Sequence, residues 1–237
     1  MSKQRVALVT GANKGLGLEI ARQLAEQGIT VVLAARSLEK ARSAVADLQS
    51  NGLNAHPIQL DVTSATDIAA LPALIEREFG GLDILVNNAG VNYDFEGEVT
   101  GDTLRRTFEA NVIGPYEITR ALLPLLKASP AGRIVNQSSV LGSLRTMVEG
   151  HGGAFTTAGY CSSKAALNML TVVAAVQLKD THVKVNAVHP GWVQTDMGGK
   201  DAPLSVSEGA KTAVRLATIP DNGPTGGYFH LEETLPW

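Results

Sequence analysis

The sequence predicts a doubly wound parallel α/β sheet of about seven strands with helices on both faces, folded as one domain over residues 1–237. Three observations carry that expectation. Short apolar runs rich in β-branched residues alternate with amphipathic helical segments along the whole chain. The runs are continuously apolar, as suits strands covered on both faces. The first of them passes directly into a glycine-rich turn and then a helix, the start of a nucleotide-binding βαβ unit.

Composition excludes several classes of protein. A hydrophobic content of 44% against 18% charged residues reads as globular and well buried. A net charge of −3 gives no case for nucleic acid or an anionic membrane surface. No apolar run approaches the ~18 residues of a membrane span, and a strand-like segment begins right after Met1-Ser2-Lys3-Gln4, so no signal peptide is expected. Cys161 is the only cysteine, which rules out an intramolecular disulfide and fits a reducing cytoplasm. The five histidines are scattered without metal-ligand spacing, so no metal is expected.

Arg5-Val6-Ala7-Leu8-Val9-Thr10 is the first strand. Gly11-Ala12-Asn13-Lys14-Gly15-Leu16-Gly17 follows and leads into a helix that stops at Gly28. Backbone N–H groups at such a helix start are placed to hold a pyrophosphate. The spacing is G-x-x-x-G-x-G rather than G-x-G-x-x-G, so strand and helix on either side carry the reading. The second strand, Ile29 to Ala35, ends in Arg36, where folds that prefer NAD place an acid for the ribose hydroxyl. No acid occurs between Ile29 and Leu38. Lys14 at a helix N-terminus is opposed by the macrodipole by roughly 0.3–1 kcal/mol unless an anion lies between them. Lys14, Arg36 and the missing acid together favour NADP over NAD.

A polar helix from Leu38 to Ser50 turns at Asn51-Gly52, and a third strand around Ala55 to Leu60 ends at Asp61-Val62. Thr63 or Ser64 is placed to cap the next helix. The fourth strand, Leu82 to Val86, runs into Asn87-Asn88-Ala89-Gly90, whose small residues let the backbone approach a flat ring. A long helical region from about Thr103 to Lys127 contains Asn111. The fifth strand, Gly132 to Gln137, delivers Ser138-Ser139 to its C-terminal end, the side on which open α/β sheets bind ligands. Residues 142–159, rich in glycine, read as a mobile loop. The sixth strand ends at His189-Pro190-Gly191-Trp192-Val193-Gln194-Thr195, and a short helix near Ser207 to Ala217 precedes a last strand at Gly226 to His230.

Tyr160 and Lys164 lie one turn apart on a helix that continues to Val176. A free phenol, with a pKa of about 10, is a poor acid or base at neutral pH. A neighbouring ammonium lowers it, and about 2–3 pH units need only roughly 3–4 kcal/mol of differential interaction. The expectation is therefore an acidified Tyr160. Cys161, beside it, reads as a small buried side chain.

Thr10-Gly11-x-x-x-Gly15-x-Gly17, Asn87-Asn88-Ala89-Gly90, Asn111, Ser139, Tyr160-x-x-x-Lys164 and Pro190-Gly191 resemble, in order, the short-chain dehydrogenase/reductase family. Gly11-Ala12-Asn13-Lys14-Gly15, Ala35-Arg36, the 189–197 segment and Trp237 look most like its NADPH-dependent carbonyl reductases. The resemblance implies a Rossmann-type fold and NADP(H)-dependent reduction of a small ketone or aldehyde. Tyr160 would then be the general acid, Lys164 would lower its pKa and hold the nicotinamide ribose, and Ser139 would position the carbonyl. Asn111 would serve a proton relay. Gly11, Asn13, Lys14, Gly15, Leu16, Gly17 and Arg36 would hold phosphates. Asp61 and Val62 would border adenine, and Asn88, Ala89 and Gly90 the adenosine ribose. Pro190, Gly191, Val193 and Thr195 would face the nicotinamide and its phosphates, with Trp192 a wall of the substrate pocket. Segments 142–159 and 197–206 would shape that pocket. The gap between Ser139 and Tyr160 exceeds the family's usual one but is shorter than the insertion of animal carbonyl reductases, leaving monomer and homo-oligomer both open. A dedicated biosynthetic alcohol dehydrogenase and a non-catalytic NADP sensor are the alternatives; the presence of Tyr160, Lys164, Ser139 and Asn111 together opposes the sensor.

Overall fold

The computed structural model of the chain describes residues 4–95, 98–150 and 152–237. Met1 to Lys3, where no leader was expected, and His151 within the glycine-rich segment lie outside the described residues. One sheet runs through the molecule in the order β3-β2-β1-β4-β5-β6-β7-β8. Its strands are β1 (Val6–Thr10), β2 (Thr30–Ala35), β3 (Ala55–Gln59), β4 (Ile84–Asn87), β5 (Arg133–Gln137), β6 (Lys184–Val188), β7 (Tyr228–His230) and β8 (Glu233–Thr234). Every residue of β1, β2, β4 and β5 is buried, which explains the apolar runs of β1, β2 and β4; in β5 the buried set includes Arg133, Asn136 and Gln137. Strands β1 to β7 are parallel. The expected seven become eight because the chain reverses at Leu231, with φ +49°, and β8 pairs back antiparallel on β7.

Side chains alternate between two cores. Val9, Leu33 and Val86 face a layer formed by α1 (Gly15–Glu26), α2 (Leu38–Ser50) and α8 (Val206–Ala217). Leu8, Val32 and Leu85 face α3 (Ala65–Phe79), α5 (Gly114–Ala128) and α7 (Ala158–Gln177). The strand order turns back between β1 and β4, so the loops after those strands diverge and leave a crevice at their C-terminal ends.

Helix starts follow the local sequence. Ser37, Ser64 and Ser205 accept from the third helical N–H of α2, α3 and α8, so Ser64 and not Thr63 is the cap. The long helix expected over 103–127 is instead α4 (Gly101–Phe108), a π-helical turn at Glu109–Ile113, and α5. At this widened turn the buried Asn111 side chain faces the backbone of Val91, and Gly114 sits so close to the Val62 carbonyl that an added Cβ would lie 2.4 Å from it. The glycine-rich segment expected to be a loop carries a 3₁₀ turn at Val140–Gly142, a short helix α6 (Leu144–Val148) capped by Ser143, and another 3₁₀ turn at Gly153–Phe155. Among the described residues no helix is long and apolar enough to cross a membrane, and no cluster of three potential metal ligands occurs.

At the N-terminal end of the strands, Arg133 is a fully buried cation that opens β5. Its guanidinium donates to the carbonyls of Ile219 (2.9 Å), Gly132 (2.9 Å) and His182 (3.3 Å) and pairs with Asp221 at 2.8 Å. Arg133→Met strands those acceptors and is expected to cost about 2–4 kcal/mol in urea unfolding. Asp221→Asn, at a carboxylate 73% exposed, is expected to cost less than about 1 kcal/mol. Equal losses would show that the ion pair, not the carbonyl bonding, fixes this corner.

Candidate active site at the C-terminal ends of β4, β5 and β6

Helix α7 lies on β5 through a stripe of buried polar residues one turn apart. Lys164 Nζ donates to the Gln137 carbonyl (2.8 Å), Ser138 Oγ donates to Asn168 Oδ1 (2.6 Å), and Asn136 Nδ2 donates to Thr171 Oγ1 (2.9 Å). Asn87 extends the ladder to β4 by donating to Asn136 Oδ1 at 2.9 Å. A one-residue slip would leave each of these groups unpaired inside the protein. The ladder therefore fixes where Tyr160 stands relative to Ser139.

The structure brings Tyr160, Lys164 and Ser139 together at the end of β5. The Lys164 ammonium lies 5.5 Å from the Tyr160 ring centroid, and the Ser139 hydroxyl is within hydrogen-bonding reach of the phenol. Their protonation differs from the expectation. Burial pushes Tyr160 up to about 12, and the Ser139 bond draws it only part of the way back. Burial likewise pulls Lys164 down to about 8. Enclosure disfavours the charged form of each, so the phenol is harder to ionise than a free one.

Asn111 reaches the site through the π turn but does not touch Lys164. Its amide donates to the Val91 carbonyl (2.9 Å) and Ser163 Oγ (3.0 Å), and its oxygen accepts the Val91 N–H (2.8 Å). A Cβ on Gly90 would lie 3.3 Å from Asn111 Oδ1 and 3.5 Å from Lys164 Nζ, so Gly90 lines the space between them.

Two residues that the sequence left unread complete the support. Asp94 is buried, and its Oδ2 accepts the Tyr160 N–H at 2.8 Å, while Thr157, at the N-cap position, makes no side-chain cap bond. A carboxylate from the loop after β4 therefore caps α7. Gly159 permits it, because a Cβ there would stand 2.4 Å from Asp94 Oδ1. His189 Nδ1 accepts the N–H of Val140, the residue after Ser139 (3.2 Å). Enclosure, and then His230 alongside, push His189 down to about 3, so the acceptor stays neutral. Asp94 falls in no motif and His189, though inside the 189–197 segment, has no role assigned there; only a partner distant in the sequence gives each its meaning.

The crevice beside this cluster is built for an anion. Gly11, at φ +63°, lies so near the loop after β4 that a Cβ would be 2.9 Å from Ala89 Cα, and one on Gly17 would be 2.6 Å from the Gly11 carbonyl oxygen. The turn thus leads tightly into α1, whose N-cap Lys14 offers no side-chain bond and whose first turn has no acid. Its N–H groups are open where those of α2, α3 and α8 are capped. These residues fit a dinucleotide pyrophosphate. Lys14 forms an ion pair across the crevice mouth with Asp196, and Thr195 lies against Gly15. Arg36 is exposed with no hydrogen-bond or ion-pair partner among the described residues. Three expected contacts are already engaged within the protein. Asn88 Nδ2 donates to the carbonyls of Thr10 (2.9 Å) and Gly11 (3.3 Å), Asp61 accepts from Thr63 N (2.9 Å) and Oγ1 (2.8 Å), and Val193 is buried against Gly209. Asn13, Val62, Pro190 and Gly191 stand on the loops after β1, β3 and β6, and Leu16 stands in the first turn of α1.

A parallel sheet with an open helix N-terminus at its switch point, beside a Ser-Tyr-Lys cluster, defines a dinucleotide-dependent oxidoreductase. The sequence pattern of the short chain dehydrogenases matches residues 5–203, and the chain belongs to that family. It is 35% identical to the NADPH carbonyl reductase 1 of Mus musculus over 100% of this chain and 99% of that one. It is also 35% identical to the (-)-isopiperitenone reductase of Mentha piperita, over 98% of each chain. The crystal structure of NADPH-bound carbonyl reductase from chicken fatty liver superposes with a TM-score of 0.85 at 29% identity, covering 99% of this chain and 100% of that one.

Because Gly159 exists to admit Asp94, the two should be energetically coupled. Gly159→Ala is expected to cost about 1–3 kcal/mol in the native protein and much less in an Asp94→Ala background, a non-additivity read by a double-mutant cycle. Additive losses would remove Asp94 as the reason for the glycine.

Proposed function

We propose that the protein reduces ketones or aldehydes to alcohols with NADPH. The convergence of the Tyr160 phenol, the Ser139 hydroxyl and the Lys164 ammonium beside the open end of α1 is the observation that carries this reading. NADPH supplies, when bound, a hydride to the carbonyl carbon. Tyr160 donates its proton to the carbonyl oxygen, and the neighbouring Lys164 ammonium favours the phenolate as it forms. Ser139 orients that oxygen. Lys164 holds the nicotinamide ribose and stabilises the phenolate left by the transfer. Asn111 lines the path by which water returns a proton toward Lys164. Gly11, Asn13, Gly15, Leu16 and Gly17 hold the pyrophosphate against α1. Lys14, released from Asp196, and Arg36 take the 2′-phosphate. Asp61 and Val62 border the adenine. Ala89, Gly90 and the backbone of Asn88 border the adenosine ribose. Pro190, Gly191, Val193 and Thr195 close over the nicotinamide end. Trp192, with segments 142–159 and 197–206, bounds the substrate.

Tyr160→Phe is expected to bind NADPH as tightly as the native protein, by fluorescence titration, and to lose kcat on the order of 10³-fold or more. Retained turnover would remove Tyr160 as the acid. Arg36→Asp is expected to raise the dissociation constant for NADPH about tenfold or more and leave that for NADH little changed. An unaltered NADPH constant would take the phosphate away from Arg36.

A further inference from the structure

Three aromatic side chains from distant parts of the chain meet beside Tyr160. Phe95 follows Asp94, which holds the Tyr160 N–H. Phe155 precedes α7, and its carbonyl accepts from the Cys161 thiol at 3.6 Å. Trp192 comes from the loop after β6, its indole N–H donating to the Gly198 carbonyl at 2.7 Å. Phe155 is the middle member. Its ring meets Phe95 at 6.3 Å between centroids and 80° between planes, and Trp192 at 5.6 Å and 62°.

Both contacts are edge-to-face, the geometry that the ring quadrupole favours. The row is nevertheless 56%, 43% and 44% exposed at Phe95, Phe155 and Trp192. Three large rings held together by one another and left open to solvent form a preformed surface for a further ring. Such a surface discriminates by shape and charge distribution. A flat aromatic ring extends the edge-to-face series, whereas a saturated ring of the same carbon count is puckered and has no quadrupole.

We propose that Phe95, Phe155 and Trp192 form an aromatic wall that selects carbonyl compounds bearing a flat aromatic ring over saturated ones of equal size. The proposal rests on the carbonyl-reductase reading of the site and names its substrate class. Benzylacetone and its ring-saturated counterpart test it, because their carbonyls share the same saturated linker. Native protein with NADPH is expected to show a kcat/KM about three- to tenfold higher for benzylacetone, and Phe155→Leu to bring the ratio close to one. Calorimetric titration of both ketones into the protein loaded with NADP⁺ reads the same ratio without turnover. Equal values in the native protein, or a preference that survives both Phe155→Leu and Trp192→Leu, overturns the wall. Binding that discriminates between the rings while neither ketone is reduced overturns the reductase reading and supports the wall.

Discussion

The buried polar ladder between β5 and α7 is the constraint on which the site depends. Apolar packing alone would hold α7 against the sheet, but it tolerates sliding and rotation far better than paired amides do. The bonds of Lys164 to Gln137, Asn168 to Ser138 and Thr171 to Asn136 allow one register. Ser139 then follows Ser138 at the end of β5, and Tyr160 lies one turn before Lys164. The placement of Tyr160 against Ser139 is thus set largely by Asn136, Ser138, Asn168 and Thr171, buried in the seam between β5 and α7.

A second layer holds the loops. Asp94 ties the segment after β4 to the first turn of α7, and Asn111 ties the same segment to the π turn between α4 and α5. His189 ties the loop after β6 to the residue following Ser139. The His189 link joins the C-terminal end of β6 to that of β5, and the other two anchor the loop after β4 to α7 and to the π turn. The three strands therefore present their residues as one rigid rim, the usual requirement for a reacting group that must meet a bound ring at close range.

The strand–helix alternation was legible because the central strands are buried on both faces, which writes an unbroken apolar run into the sequence. The glycine turn and the Tyr160–Lys164 spacing were legible because each is a local requirement of backbone or helix. What escaped the sequence depends on distant partners. The directions in which the Tyr160 and Lys164 pKa values move follow from enclosure that no motif records. Asp94, alone among loop residues, looks like a turn carboxylate until α7 arrives with an unfilled first turn. The glycine-rich stretch before Tyr160 hid a short helix and tight turns because elements of three to five residues are too short to write a period into the sequence.

The open N-terminus of α1 leaves the fold itself one partner short. A dinucleotide that settles there binds the native state and not the unfolded chain, so every tenfold rise in its free concentration above the dissociation constant adds about 1.4 kcal/mol to the native state. Turnover by proteolysis in a living cell would then respond to the supply of the reducing coenzyme, coupling how long each molecule survives to the redox economy it serves.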